Sequence, residues 1–190
     1  MAKKQSVVDS FRASSHQLGR QAKSKNEKKS LEWFRGRVGT AVRSKKTSRP
    51  KPGHIYVFAY DAKHKKTLPY WDKYPLVVCL GVQGGYMMGL NLHYIPPKSR
   101  QIYLERLLRH ATTDTITNKT RLNLDWNKIK RLPFSKHMIK TYLANRVIGS
   151  LEEVKPSEWI NIIYMPLQQF VGPNGKNISA TRAYNDRNKR

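Results

Sequence analysis

The residues best suited to chemistry are an aspartate and a lysine in the tetrapeptide YDAK, residues 60–63. Asp61 and Lys63 have the D-x-K spacing of one half of a Mg²⁺-dependent nuclease site. A complete site needs a further acidic residue nearby, for which Asp72 and Asp114 are the candidates. A D-x-K tripeptide is common by chance, and a solvated hairpin turn explains the same residues. We therefore interpret the segment as a turn and keep a nuclease as an alternative.

The other residue types that react or bind metals do not form a recognisable set. The six histidines include no H-x₃-H pair, and a lone cysteine excludes a cysteine-based zinc site. Cys79 lies among Val and Leu in an apolar run, where a thiol is kept neutral. His93, in LNLHYIPP, is interpreted as a structural histidine whose ring nitrogens bond backbone at the Pro-Pro bend. The sequence therefore predicts no catalytic residue, no metal site and no cofactor.

Net charge is the strongest functional signal. The 190 residues carry 37 Lys and Arg against 12 Asp and Glu, a formal net charge of +25. Solubility does not explain so few acids, because mixed-sign surfaces dissolve equally well. We predict a polyanionic partner, by default nucleic acid, bound with a steep salt dependence and little dependence on base sequence. The predicted phosphate-binding residues are Lys3, Lys4, Arg12, Arg20, Lys23, Lys25, Lys28, Lys29, Arg35, Arg37, Arg43, Lys45, Lys46, Arg49 and Lys51.

Several aromatic residues accompany these cations: Tyr56, Tyr60, Tyr70, Trp71 and Tyr74. They could stack on bases, as on the platforms that bind single strands. We interpret them instead as the apolar content of a small barrel. The chain lacks the aromatic and basic alternation of the common RNA-recognition module. An RNA-binding protein of ribosomal type stays an alternative.

The charge divides the chain into three predicted parts. Residues 1–52 hold 15 basic and 3 acidic residues and are read as a basic arm and linker. Residues 53–171, with 17 and 8, are read as a globular body. Residues 172–190, with 5 and 1, are read as a basic tail. Both arms are expected to be flexible, because prolines and bare cations oppose regular structure.

The body opens with strand signals. HIYVFAY alternates β-branched and aromatic residues, which is typical of a strand covered on both faces. YPLVVCLGV and YMMGLNLHYI predict two further strands joined by a turn at Gly84 and Gly85, with curvature at Gly81 and Gly89. The predicted fold is α+β, with a small curved antiparallel sheet that is SH3-like or a partial barrel and with two or three helices.

Three later segments predict helices. In KSRQIYLERLLRHA, Ile102, Leu104, Leu107 and Leu108 are expected to pack inward and Arg100, Arg106 and Arg109 to face solvent, with Pro97 near the helix start. SKHMIKTYLANRVIGS predicts a second helix that stops at Gly149. PSEWINIIYMP favours a short third helix over a strand.

The compartment is predicted from what the sequence lacks. No window approaches 18 consecutive apolar residues, and the N-terminal stretch has no apolar core of a secretory signal. The single Cys79 cannot form an internal disulfide. We expect a protein made soluble in the cytoplasm, without a membrane partner.

A block in the body resembles a known family. The stretch 52–107 is similar to a block of the form GxxYxFxYDxKxxxxLPYxDxxPLV followed by GLNLHYLPP. This block is found in virion proteins of T-even-type contractile-tailed phages, which are known as DNA end protector proteins. The matching residues are Tyr60, Asp61, Lys63, Leu68, Pro69, Tyr70, Asp72, Pro75, Gly89, Leu90, Asn91, Leu92, His93, Tyr94, Pro96 and Pro97. Met87, Met88 and Trp71 depart from the pattern by mild packing changes.

The resemblance implies a non-enzymatic structural protein of the virion that lies near the packaged DNA terminus and shields it from exonucleases. The matching residues would then be fold determinants. The predicted partners are DNA without sequence preference, other virion proteins, or both, and no small-molecule substrate. A neck, tail or baseplate subunit whose arms bind neighbouring virion proteins is the alternative.

Overall fold

The computed structural model describes residues 49–186 together with residues 8, 9 and 11. The strands are β1 Ile55–Tyr60, β2 Trp71–Asp72, β3 Leu76–Gln83, β4 Tyr86–Asn91, β5 Ile139–Leu143, β6 Val147–Val154, β7 Phe170–Val171 and β8 Asn177–Ile178. Within 49–186 the helices are α1 Pro97–Leu108, α2 Trp126–Ile129, α3 Ser135–Met138, α4 Trp159–Tyr164 and α5 Ala180–Asn185. The fold is α+β, as predicted.

Two open antiparallel sheets form the body. The larger has the strand order β5-β4-β3-β1-β6 and the smaller has the order β2-β7-β8. Pairing irregularities between Val57 and Ala59 and between Cys79 and Gly81 mark β-bulges in the larger sheet. Bulges bend a strand and increase its twist, so the predicted curvature near Gly81 is present. Gly84 and Gly85 have the predicted positive φ, at 55° and 80°, in the β3–β4 turn.

Strand β1, which lies between β3 and β6 in the larger sheet, is buried along its whole length, as its sequence predicts. Ile55 and Val57 enter the larger apolar cluster, under the helices. Tyr56, Phe58 and Tyr60 enter a smaller cluster with Tyr142 and others. The two alternating faces of β1 therefore separate two cores.

Helix α1 begins at Pro97 as predicted, but the prediction of which residues face the core is wrong at two positions. Arg100 is fully buried, whereas Ile102 is 48% exposed. The buried stripe is Arg100, Tyr103, Leu104, Leu107 and Leu108, which has the i, i+3, i+4, i+7, i+8 spacing of one helix face. Ile102 lies outside that stripe, and Arg100 is the first residue of the stripe. Arg106 and Arg109 are exposed, as predicted.

The guanidinium of Arg100 is buried because backbone and side-chain acceptors surround it. Its Nε donates to the Ile95 carbonyl at 2.9 Å and its Nη1 donates to the Ile163 carbonyl at 3.1 Å. Its Nη2 donates to Gln168 Oε1 at 3.0 Å and to the hydroxyl of Tyr184 on α5 at 3.1 Å. These bonds offset much of the cost of removing the charge from water.

The predicted second helix over 135–150 is wrong. Only Ser135–Met138 is α-helical, and the chain then forms β5, a 3₁₀ turn at Ala144–Arg146 and β6. Ile139 to Leu143 pair with the edge of β4, which satisfies their backbone groups as a helix would have done. The β-branched residues Ile139, Thr141, Val147 and Ile148 favour this outcome. Gly149 lies inside β6 with φ 77° and does not end a helix.

Of the remaining predicted elements, one helix is confirmed and one strand is shorter than predicted. The third helix is present as α4, after a 3₁₀ turn at Pro156–Glu158. The predicted third strand is shorter than expected, because β4 ends at Asn91 and Leu92–Tyr94 form a 3₁₀ turn. Within the described residues, no helix combines the length and the apolar character needed to cross a bilayer.

Both ends of the described chain contact the body. Phe11, whose neighbours Val8 and Asp9 are also helical, is 2% exposed and belongs to the larger core. Beyond residue 171, Ala183 on α5 is fully buried in the same core. Residues assigned to the arm and to the tail thus include core contacts, while the division of the chain into three parts stays a prediction.

Candidate nucleic-acid interface

A concave site of about 360 Å³ lies at one end of the larger sheet, where β1, β2, β4 and β5 meet. We call it the aromatic pocket and define it by its ring-bearing and cationic lining residues: Tyr60, Lys63, His64, Tyr70, Trp71, Tyr86, Tyr94, His137, Lys140 and Tyr142. Asp72 also lines it. Its volume is within the range of small-ligand sites.

The strands bring these residues together from distant parts of the sequence. Tyr60 ends β1, and Lys63 and His64 follow in the loop to β2. Tyr86 begins β4 directly after the glycine turn and pairs with Leu143 of β5. Lys140 and Tyr142 lie two residues apart on β5, so they share one face of that strand.

Edge-to-face contacts fix the rings of the pocket. The Tyr60 and Tyr142 centroids are 5.0 Å apart at an interplanar angle of 83°. Tyr94 makes a similar contact with His137 at 5.2 Å and 79°. The hydroxyl of Tyr60 accepts a hydrogen bond from the Leu143 backbone at 3.2 Å. These contacts set the floor before any ligand arrives.

The floor and the rim differ in exposure and charge. Tyr60, Tyr70, Tyr94 and Tyr142 are at most 7% exposed, whereas Tyr86 is 50% exposed and Trp71 is half-buried. Lys63 and His64 are exposed, and Nζ of Lys140 lies 4.4 Å from the Tyr94 ring centroid. Cations and two accessible rings therefore surround a phenolic floor.

The hydroxyls of Tyr60 and Tyr142 at the floor are neutral at physiological pH. Burial raises the pKa of Tyr142 well above its usual value, and the neighbouring Tyr94 and Asp72 act in the same direction. Burial also raises the pKa of Tyr60, although the Leu143 backbone N–H opposes it. Both phenols can consequently donate as well as accept hydrogen bonds.

Asp72 anchors the inner wall of the pocket. Its Oδ2 accepts from Nδ1 of His93 at 2.8 Å and from Nδ2 of Asn91 at 3.2 Å. Its Oδ1 accepts from the backbone N–H groups of Tyr74 and Gln169, each at 3.2 Å. The carboxylate thus connects β2, the end of β4 and the segment before β7.

His93 is a buried structural histidine, but its partner differs from the predicted backbone group. The ring is fully buried and Nδ1 bonds the Asp72 carboxylate. Burial lowers the pKa of His93, while Asp72 acts in the opposite direction. Asn91 further fixes this turn, because its side-chain oxygen accepts the His93 backbone N–H at 2.9 Å.

The predicted phosphate-binding residues are only partly within the described chain. Arg49 and Lys51 are both exposed. The other thirteen, from Lys3 to Lys46, lie outside the described residues. Of the five aromatic residues considered for base stacking, Tyr60, Tyr70 and Trp71 line the aromatic pocket, whereas Tyr56 is buried elsewhere in the smaller core.

The D-x-K segment has partners of its own. Asp61 accepts from Nζ of Lys65 at 2.8 Å and lies 3.7 Å from Nη1 of Arg146. Asp72, the candidate second carboxylate, is buried with the four donors described above. Across 49–186 and residues 8, 9 and 11, no group of three or more His, Cys, Asp and Glu side chains is arranged to hold a metal ion.

A second hollow, of about 290 Å³, lies between α1 and α2. Arg106, His110 and Lys128 line it together with Asp125. The Asp125 carboxylate accepts from the backbone N–H groups of Asn127 and Lys128 and so caps α2. This hollow adds cations to the surface but lacks the rings of the aromatic pocket.

The chain was compared with known families, curated proteins and solved structures. A model of the family described as phage T4 terminal DNA protecting protein matches residues 1–187. The chain belongs to this family. No curated protein and no solved structure matches it. The resemblance seen in residues 52–107 is therefore confirmed and extends over nearly the whole chain.

Three residues of the resembling block form one buried group in this member of the family. Asp72, Asn91 and His93 are hydrogen-bonded to one another and are each at most 3% exposed. Gly89 is also required for space, because a Cβ at this position would lie 2.1 Å from Cγ1 of Val77. These four residues determine the local fold.

Proposed function

We propose that this protein binds the end of linear phage DNA and blocks access of exonucleases to it, without catalysing a reaction. The observation that carries the proposal is the family match over residues 1–187. The charge supports it, because the family's named role concerns DNA and the chain has a net charge of +25. Binding that neutralises many phosphates is strong and largely independent of base sequence.

The cations of the N-terminal segment would contact the phosphates. The fifteen basic residues predicted from the sequence all lie within residues 1–51. Arg49 and Lys51 support this assignment, because both are exposed directly before β1. The body contributes further exposed cations on α1 and in the hollow beside it, including Arg106, Arg109 and Lys128.

The protein would be a component of the virion, in the head–tail region, and would occupy the host cytoplasm during assembly. A protein that protects a packaged DNA end has to accompany that end, which is the reason for this placement. Basic segments also fit acidic surfaces of neighbouring virion subunits. Cross-linking in intact particles tests the placement: adducts with DNA support it, and adducts with tail or baseplate proteins alone contradict it.

The binding experiment compares linear with circular DNA of the same sequence. We expect electrophoretic shift at lower protein concentration on the linear form, and we expect the bound linear form to resist an exonuclease. Equal affinity for the two forms, or unimpaired digestion, would contradict end protection. The same reactions with Mg²⁺ test the nuclease alternative. Cleavage of a plasmid by the unsubstituted protein, together with no cleavage by Asp61→Ala, would support it.

The role of the N-terminal cations is tested by substitution and not by deletion, because Phe11 belongs to the core. A variant with Lys23→Gln, Lys25→Gln, Lys28→Gln and Lys29→Gln loses four charges. A matched control carries Lys119→Gln, Lys130→Gln, Lys136→Gln and Lys155→Gln, all of them exposed body residues. The measured quantity is the slope of the logarithm of the binding constant against the logarithm of the salt concentration. If the arm contacts phosphates, the variant with four substitutions in the arm lowers the magnitude of this slope by about four, and the control variant changes it less.

A further inference from the structure

The aromatic pocket has a composition that suits one kind of ligand. Its accessible rings, Tyr86 and Trp71, offer faces on which a flat heterocycle can stack. Lys63, His64 and Lys140 lie around the same cavity and suit an anion. A ligand with a flat aromatic group and a phosphate satisfies both requirements, and a nucleotide is such a ligand.

The charges also set the orientation of the ligand. The Asp72 carboxylate lies at the inner wall, where it would repel a phosphate, while the lysines lie at or near the surface. A base entering first would place its edge near the neutral hydroxyls of Tyr60 and Tyr142, which can donate or accept. The phosphate would then stay at the cationic rim.

The size of the cavity limits the ligand to about one nucleotide. Its volume of about 360 Å³ is at the lower end of the range for small-ligand sites. A base inside a duplex is stacked and paired, so it cannot enter such a cavity without leaving the helix. An unpaired base at the terminus of a duplex breaks no base pair and gives up stacking on one side only, so its cost is smaller.

We propose that the aromatic pocket holds the terminal unpaired nucleotide of a DNA end. Its base stacks against the side of the cavity that Tyr86 and Trp71 form, and its phosphate lies at Lys63 and Lys140. This inference rests on the proposed function and adds the site that distinguishes an end from the interior of DNA. The basic segments would bind any duplex, and the pocket would select the end.

The test measures the affinity of the full chain for four DNAs: a blunt duplex, the same duplex with one unpaired nucleotide at each 3′ end, the same duplex with one at each 5′ end, and a closed circle. We expect one of the overhanging duplexes to bind about tenfold more tightly than the blunt one. Tyr86→Ala and Lys63→Gln should remove most of that difference and leave the affinity for the blunt duplex nearly unchanged.

Two matched variants control for general effects. Lys66→Gln removes the same charge from the same exposed loop but lies outside the pocket, and Trp126→Ala removes an aromatic residue that is 45% exposed elsewhere. Both should keep the preference for the overhang. All four substituted residues are exposed, so the variants are expected to fold.

The outcomes separate the two proposals. If linear DNA is preferred to the circle but an overhang gives no advantage, or if the pocket variants keep that advantage, the pocket inference is wrong and end binding stands. If linear and circular DNA bind equally, the proposed function fails. If the advantage appears only after the N-terminal cations are replaced, another part of this chain occupies the pocket, and the inference is also wrong.

Discussion

Nδ1 of His93 donates a hydrogen bond to the carboxylate of Asp72 at 2.8 Å, and neither side chain is more than 1% exposed. The two residues are 21 positions apart in sequence. Their contact fixes the inner wall of the aromatic pocket to the end of β4, and it gives the first of four predictions.

Replacing Asp72 by alanine should destabilise the protein by about 3–5 kcal/mol, because two buried side-chain donors and two partly buried backbone donors lose their acceptor. Chemical denaturation measures the loss. Asp61→Ala is the matched control, since Asp61 is partly exposed and forms surface ion pairs, which are worth about 0–1 kcal/mol. Equal losses for the two variants would contradict a special role for Asp72.

Acidification should destabilise the protein through His93. Burial lowers the pKa of this residue in the folded state, whereas in the unfolded chain the value is about 6.5. Below that pH the unfolded chain binds more protons than the folded one, so the free energy of unfolding falls as pH falls. Denaturation midpoints between neutral and mildly acidic pH should show this slope, and His93→Gln should make it shallower. An unchanged slope in the variant would assign the effect to other groups.

Loss of the buried guanidinium should loosen the C-terminal helix. Arg100→Met leaves the Ile95 and Ile163 carbonyls without their donor and removes the contact with Tyr184. We expect a loss of about 3 kcal/mol or more, with faster hydrogen exchange in α5. Tyr184→Phe removes one bond and should cost about 1 kcal/mol. Arg106→Met, exposed on the same helix, is the control, and α5 exchange that stays slow in Arg100→Met would refute the linkage.

Gly89→Ala should overpack the contact between β3 and β4. The added Cβ would lie 2.1 Å from Cγ1 of Val77 and 2.8 Å from the Val78 carbonyl oxygen. A side chain can move but the backbone oxygen moves less, so we expect a loss of about 1–3 kcal/mol that Val77→Ala relieves only in part. Gly81→Ala has nothing within 4 Å of its Cβ and should change thermal stability little. Similar melting temperatures for the two variants would show that the sheet adapts.

Local signals in the sequence predicted much of the fold. The alternating β-branched and aromatic residues of β1, the two glycines before β4 and Pro97 at the start of α1 each act on their own neighbours. Predictions from such local signals agree with the folded structure because they do not depend on contacts with distant residues. The family resemblance likewise depended on a continuous block.

Distant partners explain the failures. The sequence predicts Arg100 in solvent because an arginine on an amphipathic helix normally faces water. All of its acceptors except the Ile95 carbonyl come from residues 63 to 84 positions later in the chain. Residues 139–143 became a strand because β4 offered an unpaired edge. The residues of the aromatic pocket are spread along the sequence from β1 to β5, so no single segment of the sequence predicts the pocket. Tyr60, Tyr70 and Trp71 were noted as aromatic, but their convergence could not be predicted.

The acceptors around Arg100 also bear on how the chain matures during synthesis. Translation delivers this arginine well before Ile163, Gln168 and Tyr184, so helix α1 cannot bury its charged first turn when it first emerges from the ribosome. The nascent body must hold that side chain in water until helix α5 has been made. Synthesis of α5, and not of the β-sheet, is thus the step that closes this part of the core.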